Sequence, residues 1–190
     1  MDCRFSKAIF TRFNNPALTM RVFLTGFMGS GKSYVGSRLA RRLGLPFVDL
    51  DQFIEQRTRL SIAELFAEVG EDSFRDLETM MLREFDTLPM FVLATGGGTP
   101  CWHDNMNWMN AHGRTVFLDP SPAIIVNRLS QERDKRPLLH GGEDLATLVD
   151  RKLTERRECY ERAHIHLLQD NPNQDIPRLL EKRLNTYPAK

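Results

Sequence analysis

Residues 21–33 read RVFLTGFMGSGKS. An apolar run rich in strand formers, 21–25, gives way to glycines. From Lys32 onward, apolar residues recur at helical spacing: Val35, Leu39 and Leu43. A strand passing through a glycine turn into a helix is the opening unit of an α/β fold. Within it Gly26, Gly31, Lys32 and Ser33 satisfy G-x-x-x-x-G-K-S/T in full. Glycines in such a loop let backbone N–H groups turn inward around phosphates, and the helix N-terminus adds partial positive charge. Gly29, Ser30, Gly31 and Tyr34 belong to the same phosphate-binding stretch. Lys32 is placed to reach the β- and γ-phosphates, and the Ser33 hydroxyl to ligate Mg²⁺. The motif establishes a nucleoside triphosphate site. It leaves open whether a small molecule or water receives the phosphoryl group.

Working outward, Gly44 is a helix C-cap with Pro46 just beyond it. Further strands are expected at 46–50, 90–95, 114–119 and 164–168. Helical patterns cover 61–70, about 71–87, 104–111, 121–130, 144–161 and 175–185. Ser61 and Glu64 have the spacing of a capping box, and that helix ends on Gly70. Strands alternating with helices predict a parallel sheet covered on both faces. The polar stretch 131–143, QERDKRPLLHGGE, interrupts two helical patterns and is expected to be a mobile loop.

The totals exclude several classes. The 190 residues suit one domain with a real core, and 41% hydrophobic with 27% charged residues is ordinary for a soluble protein. A formal net charge of +1 provides no global field for nucleic acid or an anionic membrane. No apolar run approaches the roughly 18 residues of a membrane helix. Cys3, Cys101 and Cys159 are odd in number and far apart, without a CxxC pair, which fits a reducing compartment rather than disulfides or zinc. The five histidines form no metal signature and are read as structural or surface residues. Residues 1–19 are basic, almost free of acids, and lack a secretory apolar stretch. They are read as a disordered extension or an upstream start, with a single domain over 20–190.

Beyond the phosphate loop, Asp49 and Asp51 end the second strand. Strand alternation would put both on one face, towards the ligand-binding rim. One suits Mg²⁺; the other suits a hydroxyl whose proton must be taken. The alternative is a solvated pair capping the next helix. Arg75, in DSFRDLE, reads equally as a surface ion pair with Glu71 or Glu78. Arg133, Lys135 and Arg136 make 131–143 a basic loop able to close over phosphates and exclude water. Arg156 and Arg157 precede Tyr160, so one can face solvent while the other faces a site.

In this order, the phosphate loop, DLD, FRDLE, TGGG, RPLL and R-x-x-x-Y resemble shikimate kinase from Met20 to about Leu184. The resemblance implies a three-layer α/β/α P-loop kinase fold with a five-stranded parallel sheet, a lid and a substrate-binding segment. It implies transfer of the γ-phosphoryl group of ATP to the 3-hydroxyl of shikimate, by a cytoplasmic monomer in chorismate biosynthesis. By the same resemblance Ser33 and Asp49 hold Mg²⁺, and Asp51 bonds the shikimate hydroxyls and assists deprotonation. Arg75 and Arg156 grip the carboxylate, Gly96, Gly97 and Gly98 line the substrate site, and Arg136 swings over the phosphates. Lys32, Asp51 and Arg136 are the catalytic set. The 169–175 loop, with Asn171, Pro172 and Asn173, lacks the arginine many members place near adenine, so Arg128 is assigned to the base. Arg156 is chosen over Arg157 by its spacing to Tyr160. At Gly97 an added Cβ is expected to weaken shikimate binding and spare ATP. Alternatives are another small-molecule P-loop kinase, such as a gluconate kinase, or a silent nucleotide-binding homologue.

Overall fold

The computed structural model describes residues 19–131, 144–171 and 174–186. Five strands, β1 (Met20–Thr25), β2 (Phe47–Asp49), β3 (Met90–Ala94), β4 (Arg114–Pro120) and β5 (Ile165–Gln169), form one sheet. Every pairing is parallel, in the order β2-β3-β1-β4-β5. The helices are α1 (Lys32–Leu43), α2 (Leu50–Thr58), α3 (Ile62–Arg83), α4 (Asn105–His112), α5 (Pro122–Gln131), α6 (Leu145–Glu161) and α7 (Ile176–Thr186). This is the three-layer α/β/α fold expected from the alternation of strands and helices.

The central strands read as unbroken apolar runs because both sheet faces are covered. Val22 and Leu24 of β1, Val116 and Leu118 of β4, and Ile165 and Leu167 of β5 pack against Val35 and Leu39 of α1 and Leu180 and Leu184 of α7. Their alternates Phe23, Phe91 and Leu93 turn the other way, onto Phe53 and Ile54 of α2, Phe74 of α3 and Met106 and Met109 of α4. Each such side chain, fully buried, stabilises the fold by about 1.5–3 kcal/mol. A third cluster, including Phe27, Phe117, Leu129, Val149 and Tyr160, fastens α5 and α6 near the phosphate loop.

One local reading is corrected. The second strand, expected over 46–50, stops at Asp49, and α2 follows at once where no helix was anticipated. Asp49 caps it, its carboxylate accepting the Gln52 N–H at 3.4 Å. Asp51 therefore stands in the first turn of a helix, not on the strand face that alternation implied. The helices expected at 61–70 and 71–87 are both present as the two arms of α3, which breaks at Gly70 (φ 77°, ψ 173°) as expected. Its start carries the full Ser61–Glu64 capping box. Residues 1–18 of the expected extension at 1–19, and 132–143 of the expected lid at 131–143, lie outside the described residues. No described helix is long and apolar enough to cross a membrane.

Candidate active site

A parallel sheet gathers the C-terminal ends of its strands at one rim, where open α/β folds bind ligands. The turn after β1 is the phosphate loop. At Gly26 (φ 135°) a Cβ would sit 2.6 Å from the Leu118 carbonyl oxygen, so only glycine fits. The Ser30 N–H donates to the Phe27 carbonyl at 3.1 Å, closing the turn. Ser30 itself is fully buried behind the loop, where its carbonyl accepts from Gln169 Nε2 at 3.3 Å. Lys32 folds back along the loop, its Nζ donating to the carbonyls of Gly26 (2.8 Å) and Phe27 (2.9 Å). The Ser33 hydroxyl donates to Asp49 Oδ2.

Gly29, Gly31, Lys32, Ser33, Tyr34, Asp49 and Arg128 line a cleft of about 1220 Å³. Arg128 is tied to the loop through Nη1 and the Gly29 carbonyl at 3.0 Å. Tyr34 is exposed and carries the Arg38 guanidinium 3.5 Å over its ring. Gln169 and Asn171 line the same cleft. Arg136 lies outside the described residues, as do Pro172 and Asn173.

A second cavity of about 420 Å³ adjoins the first, and Met28, Asp51 and Gly97 line both. Arg75 and Arg156 are on its wall. Arg75 is no surface cation: only 6% exposed, it binds Glu78 Oε2 at 2.9 Å and Glu71 Oε1 at 3.1 Å. The Phe66, Phe74 and Trp102 rings surround it at 5.4, 5.2 and 5.5 Å. Arg157 takes the other direction on α6, binding Asp119 Oδ2 at 3.0 Å and Glu161 Oε1 at 2.8 Å. Of the two neighbours, Arg156 is the one that reaches the cavity.

The three glycines after β3 line the same cavity, and the space for each is taken by a different group. A Cβ on Gly96 would meet Glu78 Oε1 at 2.5 Å and Asp51 Oδ1 at 2.8 Å. On Gly97 it would press the Met28 backbone nitrogen at 3.2 Å. On Gly98 it would strike the Arg75 guanidinium at 2.6–2.8 Å. So Gly96 and Gly98 let this site's own charged side chains lie against the backbone, while Gly97 admits the backbone of the phosphate loop. Tyr160, buried and stacked on Phe117 with ring centroids 5.1 Å apart, holds the loop by donating to the Gly97 carbonyl at 2.5 Å. Gly97 lines both cavities, whereas Gly96 and Gly98 line the second alone.

Asp51 is pushed up to about 6 by burial, then by the neighbouring carboxylates Glu78 and Asp49, with Lys32 opposing. A carboxyl so raised is a better proton acceptor at neutral pH than an ordinary aspartate. Glu78 entered the sequence reading only as a salt-bridge partner. Here it is 1% exposed, accepts the Thr99 hydroxyl at 2.5 Å and faces Asp51 and Arg75 together. Its i,i+3 spacing from Arg75 was visible; its contact with Thr99 was not.

A family model described as shikimate kinase matches residues 28–184. The chain is 46% identical to the shikimate kinase of Bacteroides fragilis over 147 residues, 76% of this chain and 82% of the relative. It is 42% identical to that of Phocaeicola vulgatus over 173 residues, 87% of this chain and 98% of the relative. The crystal structure of shikimate kinase from Bacteroides thetaiotaomicron superposes with a TM-score of 0.83 at 38% identity, covering 88% of this chain and 99% of that one. Shikimate kinase from Acinetobacter baumannii in complex with shikimate gives 0.77 at 33% identity, covering 88% and 91%.

Proposed function

The chain belongs to the shikimate kinase family, and on that premise we propose how its residues transfer a phosphoryl group from ATP to shikimate. The carrying observation is that the two cavities meet at Asp51: one bears the phosphate loop, the other the two arginines and three glycines. ATP occupies the larger, with its phosphates on the loop N–H groups. Shikimate occupies the smaller, its carboxylate on the guanidinium groups of Arg75 and Arg156, which suit bidentate pairing. Its hydroxyls face Asp51 and the backbone of Gly96–Gly98. Asp51 takes the proton of the 3-hydroxyl as that oxygen attacks the γ-phosphorus and ADP departs. Lys32 leaves one loop carbonyl to stabilise charge on the transferring oxygens. Arg136 is assigned the same task from the lid.

Ser33 and Asp49 supply hard oxygen donors in mutual contact beside the phosphate loop, a set that suits Mg²⁺ held by few protein ligands plus phosphates. Bound there, Mg²⁺ would neutralise phosphate charge. We read residues 20–190 as one catalytic unit, a cytoplasmic monomer; the net charge of +1 is in keeping with small-molecule rather than nucleic-acid or membrane partners. A gluconate kinase assignment is not favoured beside these relatives.

Steady-state kinetics of two variants test the placement. Arg75→Ala should raise the KM for shikimate far more than that for ATP. Lys32→Ala should lower kcat by about 10²–10³, the usual loss of a transition-state donor. A selective ATP defect in the first, or near-normal turnover in the second, would overturn the assignments.

A further inference from the structure

Two thiols lie behind the acceptor cavity with no part in the chemistry above. Cys101 ends the short turn Thr99–Cys101 that follows the glycine loop, and its N–H donates to the Gly98 carbonyl at 2.9 Å. Cys159 sits in the last turn of α6, three residues beyond Arg156 and one before Tyr160. Far apart in sequence, the two are free and half-buried, and their thiols are near enough for each to shift the other's titration. Cys101 Sγ also lies 4.0 Å from the Arg156 carbonyl oxygen.

We propose that Cys101 and Cys159 form a site of oxidative modification, closing to an intrachain disulfide that weakens shikimate binding at the cavity they back. The co-reactant is a low-molecular-weight disulfide. The Cys159 thiolate attacks one of its sulfurs, forming a mixed disulfide and expelling one thiolate. Cys101 then gives up its proton and attacks the Cys159 sulfur, expelling the second. Two protein thiols are oxidised and one disulfide is reduced to two thiols, so atoms and electrons balance.

The surroundings assign these roles. The hydrogen bond from Cys101 and the charges of Arg162 and Arg156 hold Cys159 below the usual thiol range. The hydrogen bond to Cys159, burial and the Cys159 charge push Cys101 up. Two of those three causes vanish once Cys159 is in a mixed disulfide, which frees Cys101 to resolve it. Bonding requires the sulfurs to approach to about 2.05 Å. That draws the Thr99–Cys101 turn onto α6 and takes Cys101 from the Arg156 carbonyl. Gly98 and Arg156, each three residues from a sulfur, are the acceptor-site groups displaced.

The proposal rests on the acceptor reading above, so bond formation and binding are measured separately. Full-length protein carrying Cys3→Ser is treated with oxidised glutathione, and the Cys101–Cys159 bond is read by peptide mass spectrometry without substrate. Calorimetry then measures shikimate and ADP binding before and after. The expected result is the intrachain disulfide, with shikimate affinity down about fivefold or more, a typical coupling between sites. ADP affinity should hold and dithiothreitol should reverse the change. Cys101→Ser and Cys159→Ala should each bind shikimate normally and resist the oxidant. Recovery of free thiols or only a stable glutathione adduct would overturn the proposal, as would a disulfide without loss of shikimate affinity. Reduced protein that fails to bind shikimate while closing the bond would sink the acceptor reading and, with it, the claimed consequence, leaving the bond itself established.

Discussion

At the scale of single residues, Asp51, the proposed proton acceptor, is buried beside two other carboxylates, Glu78 and Asp49. Asp51 keeps its proton up to about pH 6, whereas in the unfolded chain it loses it near 3.8. The folded state thus binds more protons between those values, and Asp51 makes stability fall as pH rises through that window. Above pH 6 the ionised carboxylate costs the fold about 2–3 kcal/mol. Asp51→Asn should therefore melt at a higher temperature than the parent at pH 7.5, with the gap narrowing toward pH 4. A lower melting temperature at pH 7.5 would contradict this placement of Asp51. Gly98 makes the complementary case. Its added Cβ would displace a guanidinium that is buried and held by two carboxylates. Gly98→Ala should cost one charged hydrogen bond, about 1.5–3 kcal/mol, or roughly tenfold or more in shikimate affinity. ADP affinity is the internal control, and an equal loss for both ligands would refute the separation of the cavities. Lys32, Ser33 and Arg156 were legible in the sequence because a local motif or spacing defines them. Glu78 was not, because its partner Thr99 is far along the chain and only the fold brings them together.

At the scale of elements, one glycine breaks the helix that walls the proposed acceptor cavity. Gly70 breaks α3 with backbone angles essentially confined to glycine, and nothing lies within 4 Å of a Cβ built there. The constraint is thus purely conformational. The arm before the break carries Ile62, Ala63 and Phe66 on the acceptor wall, while Phe74, Arg75 and Glu78 come after it. Gly70→Ala should destabilise the protein by about 1–3 kcal/mol. It should also raise the KM for shikimate with little change for ATP. A fully active variant of unchanged stability would show that the arm's angle is immaterial. The sequence marked this break as a helix end with a second helical pattern after it, since glycine terminates helices; Phe74 and Leu82 anchor that second arm beneath the sheet. Helix α2 was missed although Leu50, Phe53 and Ile54 have helical spacing, because Leu50 completes an equally good apolar run with the strand before it. The error moved Asp51 from helix to strand but left it at the same rim.

At the scale of the whole molecule, parallel strand order does what no single motif does. It brings the turn after β1, the cap at the end of β2 and the glycines after β3 to one edge. The alternation of strands and helices was readable because each central strand is buried on both faces and each helix on one. The seam between the two cavities was not, because Met28, Asp51 and Gly97 come from three separate places in the chain: the loop after β1, the first turn of α2 and the loop after β3. That seam is the central claim: one carboxylate, shared by a nucleotide cleft and an acceptor cavity, receives the proton as phosphoryl transfer proceeds. The most direct test follows the product by phosphorus NMR when the purified protein is given ATP, Mg²⁺ and shikimate, beside Asp51→Asn under the same conditions. The account predicts ADP and a phosphate ester on the shikimate 3-hydroxyl in equal amounts from the parent, and neither from the variant. Inorganic phosphate without the ester, or undiminished ester from Asp51→Asn, would contradict it.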